Sequence, residues 1–280
     1  MNAIEITGLR KIYPDFELKG LDLCLPSGCI MGLVGENGAG KSTTIRLILD
    51  TVKADGGSVK IFGRSNSERS LKEDIGVVLD DVSFPDCLTA AQISKILRRA
   101  YKNWDGDAYH AYLKKLNIPE NKAFGEFSRG MKMKLGIAAA MSHNAKLLIL
   151  DEATSGLDPV VRDEVVELFS DFTRDESHSV LISSHIVSDL EKLCDYIAFL
   201  HKGRLMLCEE KDALLGEYCF VRGTAAELDA LDAANVIGRR DGRYGSEAIV
   251  RRGAVRSGLA VSPVSIEDLF IFMVKEDERQ

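Results

Sequence analysis

Gly35-Glu36-Asn37-Gly38-Ala39-Gly40-Lys41-Ser42 fits the phosphate-binding loop pattern G-x-x-x-x-G-K-[ST] at every fixed position. The flanks carry as much information as the letters. Cys29 to Val34 is an apolar run of strand length, and Thr43 to Leu49 continues with helical character, so the loop joins a strand to a helix. Glycines let the backbone approach phosphates and aim successive N–H groups at them, and the helix that starts near Lys41 adds the positive end of its dipole. Residues Gly35, Glu36, Asn37, Gly38, Ala39, Gly40, Lys41, Ser42 and Thr43 therefore read as a cradle for ATP. Lys41 is placed to reach the β- and γ-phosphates, and the Ser42 hydroxyl to ligate Mg²⁺.

Downstream, Leu147-Leu148-Ile149-Leu150-Asp151-Glu152 is an apolar strand that ends in two carboxylates. A buried strand has no structural use for adjacent acids, because charges there must be compensated. Beside a Mg-nucleotide, Asp151 can hold the metal and Glu152 can take the proton of an attacking water. Ser179 to Ser183 is another short strand, and His185 lies just past its end, where open α/β sheets bind ligands. A structural histidine is the blander reading of that position; the placement favours function.

Residues 2 to 25 break into strand-like pieces, with Tyr13 in the turn between them, either stacking on an adenine face or sitting as a half-exposed loop tyrosine. Ser58 to Phe62 reads as a short strand, and Ile75 to Leu79 as one buried on both faces. Thr89 to Asn117 is helical, and its Tyr101 and Trp104 could form a docking surface or, more simply, line an amphipathic core face. Ser128 caps a helix opened by Phe127-Ser128-Arg129-Gly130-Met131, and Asp158-Pro159 starts the next. Ile197 to Leu200 and Leu205 to Cys208 read as a hairpin through Lys202-Gly203. The last 65 residues change texture: Asp241-Gly242 looks like a hairpin turn, and Ile266, Leu269, Phe270 and Met273 stripe a closing helix capped by Ser265. Residues 239 to 256 carry six arginines against Asp241 and Glu247, the pattern of a solvated sheet face or of a contact with acidic lipid or partner, the first being the simpler.

The chain has 280 residues, 45% hydrophobic, enough for one large domain and a small one. Thirty-six Lys and Arg against 43 Asp and Glu leave a formal charge of −7, which argues against non-specific nucleic-acid binding. Cysteines 24, 29, 87, 194, 208 and 219 lack zinc spacing and several fall in apolar runs, so buried, reduced thiols and a cytoplasmic setting are expected. No secretory leader and no run approaching the ~18 apolar residues of a membrane span is legible.

Together these motifs resemble the nucleotide-binding subunit of the ATP-binding cassette (ABC) transporter superfamily over about residues 2 to 215. The phosphate loop, a signature-like Phe127 to Met131, the acidic strand end Leu147 to Glu152, Ser155-Gly156-Leu157-Asp158 as the D-loop and His185 as the switch histidine occur in the family's order. The resemblance implies an α/β P-loop NTPase fold of RecA type. Its mixed sheet would carry an antiparallel β subdomain and an inserted helical subdomain at about 84–144, with a small α+β domain at 216–280 after an ATPase domain at 1–215. It implies ATP and Mg²⁺ as cofactors, Tyr13 against adenine, and Lys41, Glu152 and His185 as the catalytic set. Two subunits would pair head to tail, the ATP held by one phosphate loop and by Ser128, Arg129, Gly130 and Asp158 of the other. A separate membrane permease, reached from the cytoplasmic face, would be driven. The signature variant and the small carboxyl-terminal domain look like those of drug-resistance and related exporters.

One departure concerns Asp80, which stands where the family usually has a Gln that touches Mg²⁺ and the attacking water. A carboxylate there can bind Mg²⁺, with Ser42 and Asp151, but adds repulsion near the γ-phosphate, so altered Mg²⁺ dependence is expected. The competing class is a non-transport ABC ATPase of DNA repair, chromosome organisation or translation. Such proteins usually carry two cassettes, a long coiled coil or a zinc insert, none of which is visible in this sequence.

Overall fold

The computed structural model describes residues 1–242, 245–255 and 259–278. β1 (Asn2–Tyr13) and β2 (Phe16–Pro26) pair as a long antiparallel hairpin, which β4 (Gly56–Ile61) and the short β5 (Arg64–Ser65) extend to the order β2-β1-β4-β5. Tyr13 closes β1, and the turn falls on Pro14 and Asp15, because Tyr13 and Phe16 still pair across the ladder.

The central sheet contains β3 (Ile30–Val34), β6 (Ile75–Val78), β7 (Leu147–Asp151), β8 (Ser179–Ser184), β9 (Tyr196–His201) and β10 (Arg204–Glu210), in the order β10-β9-β3-β8-β7-β6. All but the β9–β10 pair are parallel, so the carboxyl ends of β3, β6, β7 and β8 open on one edge. Alternation along these strands fills two separate cores. Met31, Leu33, Ile149, Leu181 and Leu200 face the antiparallel sheet and α1 (Lys41–Ile48), while Leu148, Leu150, Ile182, Ile197 and Phe199 face the helices on the other side. Each such side chain, fully buried, contributes about 1.5–3 kcal/mol. β6 departs from the expected two-sided burial. Among the described residues it is the edge strand, paired to β7, and Val77 and Leu79 are 36% and 40% exposed.

The helical run expected from Thr89 to Asn117 is two helices, α2 (Ala90–Ala100) and α3 (Gly106–Lys115), because Asp105 caps a new start. Tyr101 stacks on buried His143 at 4.0 Å, and Trp104 packs on Tyr109 and donates to Ser94 Oγ at 3.3 Å, so both rings serve the interior. α4 (Arg129–Met141), α5 (Pro159–Phe172) and α6 (Val187–Leu193) cover the same face of the sheet; Ser128 and Asp158 cap α4 and α5 as expected.

Beyond α7 (Lys211–Glu217), a third sheet has the order β12-β13-β11-β14, made of β11 (Tyr218–Gly223), β12 (Val236–Gly242), β13 (Gly245–Arg251) and β14 (Ala260–Ser262), with α8 (Ala225–Asp229) beside it. Asp241 and Gly242, expected as a hairpin turn, are still paired within the ladder, to Ser246 and Gly245, and residues 243–244 lie outside the described residues. α9 (Ile266–Asp277) docks on the cassette core, Phe270 meeting Phe199 edge-on at 5.2 Å. Among the described residues of the arginine-rich stretch, Arg239 pairs with Asp229 and Asp241, Arg240 with Glu247 and Arg251 with Glu217, while Arg252 donates to the carbonyls of Gly216 and Tyr218. Arg243 and Arg256 lie outside the described residues. The thiols differ from expectation: Cys194 and Cys219 are buried, whereas Cys24 and Cys87 are exposed, and all six are free.

Candidate nucleotide site

The open edge of the central sheet gathers the predicted site from four strand ends. After β3 the loop turns through Gly38 and Gly40 at positive φ, 84° and 111°. Only glycine suits Gly40 on two counts, since a Cβ would also meet the Phe16 ring at 2.8 Å. Lys41 is 6% exposed and its ammonium donates to the carbonyls of Gly35 at 2.7 Å and Glu36 at 3.3 Å. A carboxylate oxygen of Glu152 stands 3.4 Å away. A phosphate would compete with these acceptors for the Lys41 ammonium.

Register sets the acids. Asp151, the last residue of β7, sits opposite Ser183 of β8, and Ser183 Oγ donates to Asp151 Oδ1 at 2.5 Å. The same hydroxyl accepts the Glu152 N–H at 3.2 Å, and the Ser183 carbonyl accepts it at 3.1 Å. Glu152 is held there at φ 53°, a left-handed conformation that costs a non-glycine residue about 1–3 kcal/mol. The turn swings its carboxylate back over the loop, between Lys41 and His185, whose Nδ1–H donates to Glu152 Oε2 at 2.6 Å. One carboxylate thus faces a lysine with one oxygen and a histidine with the other.

Tyr13, Glu36, Asn37, Gly38, Gly40, Lys41, Ser42, Thr43, Asp80, Arg129, Glu152 and His185 line a single cleft. Asp151 is buried beside it, and Gly35 and Ala39 form the buried floor of the loop. Ser128, Gly130 and Asp158 do not line it; Ser128 and Asp158 spend their oxygens capping α4 and α5. For a divalent cation the donor set is a serine hydroxyl and an acid with one oxygen taken by Ser183. That suits Mg²⁺, which takes one or two carboxylates plus substrate phosphate and water.

Asp80 differs from its expected surroundings. Its carboxylate is paired with Arg129 at 2.6 Å, and the Arg129 side chain lies against Gly156, so the negative charge expected near a γ-phosphate is matched by a cation from the same chain. Asp80→Gln removes an exposed pair worth under about 1 kcal/mol, so the Mg²⁺ concentration for half-maximal ATP turnover should shift by up to about fivefold. Titration of turnover against Mg²⁺ checks this, and an unchanged curve would count against any role of Asp80 at the metal.

Several contributors escaped sequence reasoning. Phe16 packs under the loop and beside Tyr13, with ring centroids 6.5 Å apart; Asp15 and Ser155 line the cleft. Ser183 orders both acids, a role visible only once β7 and β8 are in register. Arg162 donates to the Leu157 carbonyl at 3.2 Å and approaches Asp189 at 3.6 Å, joining the loop before α5 to the helix after His185.

Comparison with known proteins bears on the family and the fold. The family model described as ABC transporter matches residues 18–155. The bacitracin transport ATP-binding protein BcrA of Bacillus licheniformis is 35% identical over 208 residues, 72% of this chain and 68% of its own length. The lantibiotic transport ATP-binding protein SrtF of Streptococcus pyogenes is 34% identical over 215 residues, 75% of this chain and 91% of its own. Of the solved structures, an ATP-binding subunit of an ABC transporter has a TM-score of 0.69 at 24% identity, over 76% of this chain and 91% of its own. A dimeric post-hydrolysis ATP-binding cassette bound to ADP and Pi has a TM-score of 0.66 at 20% identity, over 74% and 98%. At these identities the two structures speak to the fold.

Proposed function

Since the chain belongs to the ATP-binding subunits of the ABC transporter family, which hydrolyse ATP to power a separate membrane permease, we propose that it drives export through ATP-dependent head-to-tail pairing of two such subunits. The observation that carries the catalytic reading is the Glu152 carboxylate, fixed at 3.4 Å from Lys41 and 2.6 Å from His185 at the mouth of the phosphate loop. Glu152 accepts the proton of the attacking water; His185 holds that carboxylate in place; Lys41 and the loop N–H groups stabilise charge on the phosphates. When bound, Mg²⁺ supplies charge neutralisation at the phosphate oxygens, and Ser42 and Asp151 are the residues to hold it. Asp80 joins them only when Arg129 leaves it.

Pairing accounts for the residues outside the cleft. Ser128 and Gly130, at the amino end of α4, do not line their own chain's cleft, although Arg129 between them does, and this helix start suits the γ-phosphate of a partner. Arg129 and Asp158 act at the same boundary. Nucleotide is then the glue, and hydrolysis releases it. Tyr13, with Phe16 behind it, receives adenine. We divide the chain into an ATPase domain at 1–215, with a helical subdomain at about 84–144, and an accessory domain at 216–280, a division supported by the separate third sheet of β11 to β14.

Among the described residues no helix is long and apolar enough to cross a membrane, so the place at the cytoplasmic face of the membrane comes from the permease. An apolar groove lined by Val77, Leu79, Phe84 and Leu97 runs between β6 and α2, and Leu79 immediately precedes Asp80 of the nucleotide cleft in the chain. The permease seats there. Leu79→Asp should leave ATP turnover of the isolated subunit within about twofold while abolishing its stimulation by the permease, since an unpaired charge in an apolar contact costs several kcal/mol. Export direction draws on the bacitracin and lantibiotic relatives and on the signature variant. Purification of tagged Glu152→Gln protein from its native cell with Mg-ATP and mild detergent tests the whole reading. A stoichiometric multi-span membrane protein is the expected companion; ribosomes or DNA without one would place the chain in the non-transport class.

A further inference from the structure

His201, the last residue of β9, is 2% exposed, and both of its ring nitrogens are buried without a hydrogen-bond partner. They are not far from partners. Nδ1 stands 3.6 Å from the carboxylate of Glu36 in the phosphate loop, and Nε2 stands 3.9 Å from that of Asp277 at the end of α9. A neutral imidazole has one donor and one acceptor nitrogen, so between two carboxylates it must turn a lone pair toward one of them. Only the imidazolium presents a donor to both.

The surroundings make this a connection between the accessory helix and the loop. The turn after β9 already backs the loop, since Gly203 N–H donates to the Ala39 carbonyl at 3.0 Å and a Cβ on Gly35 would meet the Leu200 carbonyl at 2.5 Å. From the other side α9 ends in Asp277 and Glu278, acids at the negative pole of a helix and therefore in need of cations. Lys202 meets Glu278 at 3.2 Å, and His201 faces Asp277. The remaining neighbours add Arg204, opposite His201 in β10, while β2 approaches the turn through backbone, Lys19 N–H donating to the Gly203 carbonyl at 2.8 Å.

We propose that His201 is a positioning residue that ties α9 of the accessory domain to the phosphate loop through Glu36 and Asp277, so that the accessory domain sets how tightly the loop holds nucleotide. The tie is made by the imidazolium. The neutral ring cannot make it, because one of its nitrogens then faces a carboxylate with a lone pair. Anything that moves α9, a permease or a second subunit included, then alters nucleotide affinity at the loop.

The test is equilibrium binding of a fluorescent ATP analogue, with Mg²⁺, to the full chain and its His201→Gln, Asp277→Asn and doubly substituted forms from pH about 6 to about 8.5. Near the low end His201→Gln should weaken binding about fivefold and Asp277→Asn about threefold, with the double form no weaker than His201→Gln alone, since both break one connection. Near the high end the ratio of His201→Gln to wild type should fall below about twofold. The same variants should raise KM for ATP with kcat held within about twofold. A ratio that does not change with pH, as loss of packing alone would give, overturns the proposal. Fully additive effects, or wild-type binding by Asp277→Asn, would do the same. Asp277 is 40% exposed on its side chain, so its substitution keeps the fold and remains informative if His201→Gln lowers the melting temperature.

Discussion

Replacing Glu152 by Gln should slow steady-state ATP hydrolysis by about 10²–10³-fold while leaving ATP binding intact or tighter. The substitution keeps the shape of the side chain, so the amide oxygen can still accept from His185 Nδ1–H, and the positive φ at this position is undisturbed. What disappears is basicity and one negative charge that stands 3.4 Å from Lys41. Loss of the base removes the acceptor for the proton of the attacking water. Loss of the charge frees Lys41 for phosphate and relieves repulsion with it. Binding without turnover should therefore accumulate the ATP-bound pair, seen as a nucleotide-dependent doubling of mass in size exclusion with light scattering. Turnover at the wild-type rate would show that Glu152 is not the base. His185→Ala should cost less, about 10-fold to 100-fold, because it acts by holding Glu152.

The parts of this site that the sequence displayed are those in which function is written into contiguous residues. The loop Gly35 to Ser42, the acidic end of β7 and the caps Ser128 and Asp158 depend on neighbours a few positions away, and the structure forms these as local elements, with Ser128 and Asp158 outside the cleft. Misread elements depend on neighbours far away. Ile75 to Leu79 has the apolar texture of a central strand, and nothing local says that, among the described residues, it stands at the edge of the sheet. Thr89 to Asn117 keeps helical spacing across the break at Asp105, where a cap wins over periodicity. Asp80 reads locally as an uncompensated charge, because its partner, Arg129, is 49 residues away. Ser183 and His201 had no local signal at all. The first acts through strand register, the second through a loop and a helix separated by more than two hundred residues.

Lys41→Ala should lower ATP affinity by at least about 100-fold, and the reason lies as much in Glu152 as in the lost contact. Lys41 is the cation at the base of the cleft, with 6% of its side chain exposed, and it is within ion-pair distance of a carboxylate that is itself only 13% exposed. Truncating one partner of a buried, charge-assisted contact to a bound group typically costs about 2–5 kcal/mol of binding, because the other charge is left uncompensated. Each 1.4 kcal/mol is a factor of about ten in binding, so a loss of about 3 kcal/mol reaches about 100-fold. In the Ala variant an incoming γ-phosphate loses a direct partner and also meets an unshielded Glu152. These two contributions separate in the double substitution. If repulsion matters, Lys41→Ala combined with Glu152→Gln should bind ATP about tenfold more tightly than Lys41→Ala alone, though it remains inactive in turnover. Titration calorimetry on the three proteins reads both quantities. Affinity of Lys41→Ala within threefold of wild type would remove Lys41 from the phosphate site, and no recovery in the double form would assign the whole loss to the missing contact. Lys41→Arg discriminates further: it keeps the charge, but a planar guanidinium cannot place one compact ammonium between the Gly35 and Glu36 carbonyls, so binding should stay well below wild type even with the repulsion answered.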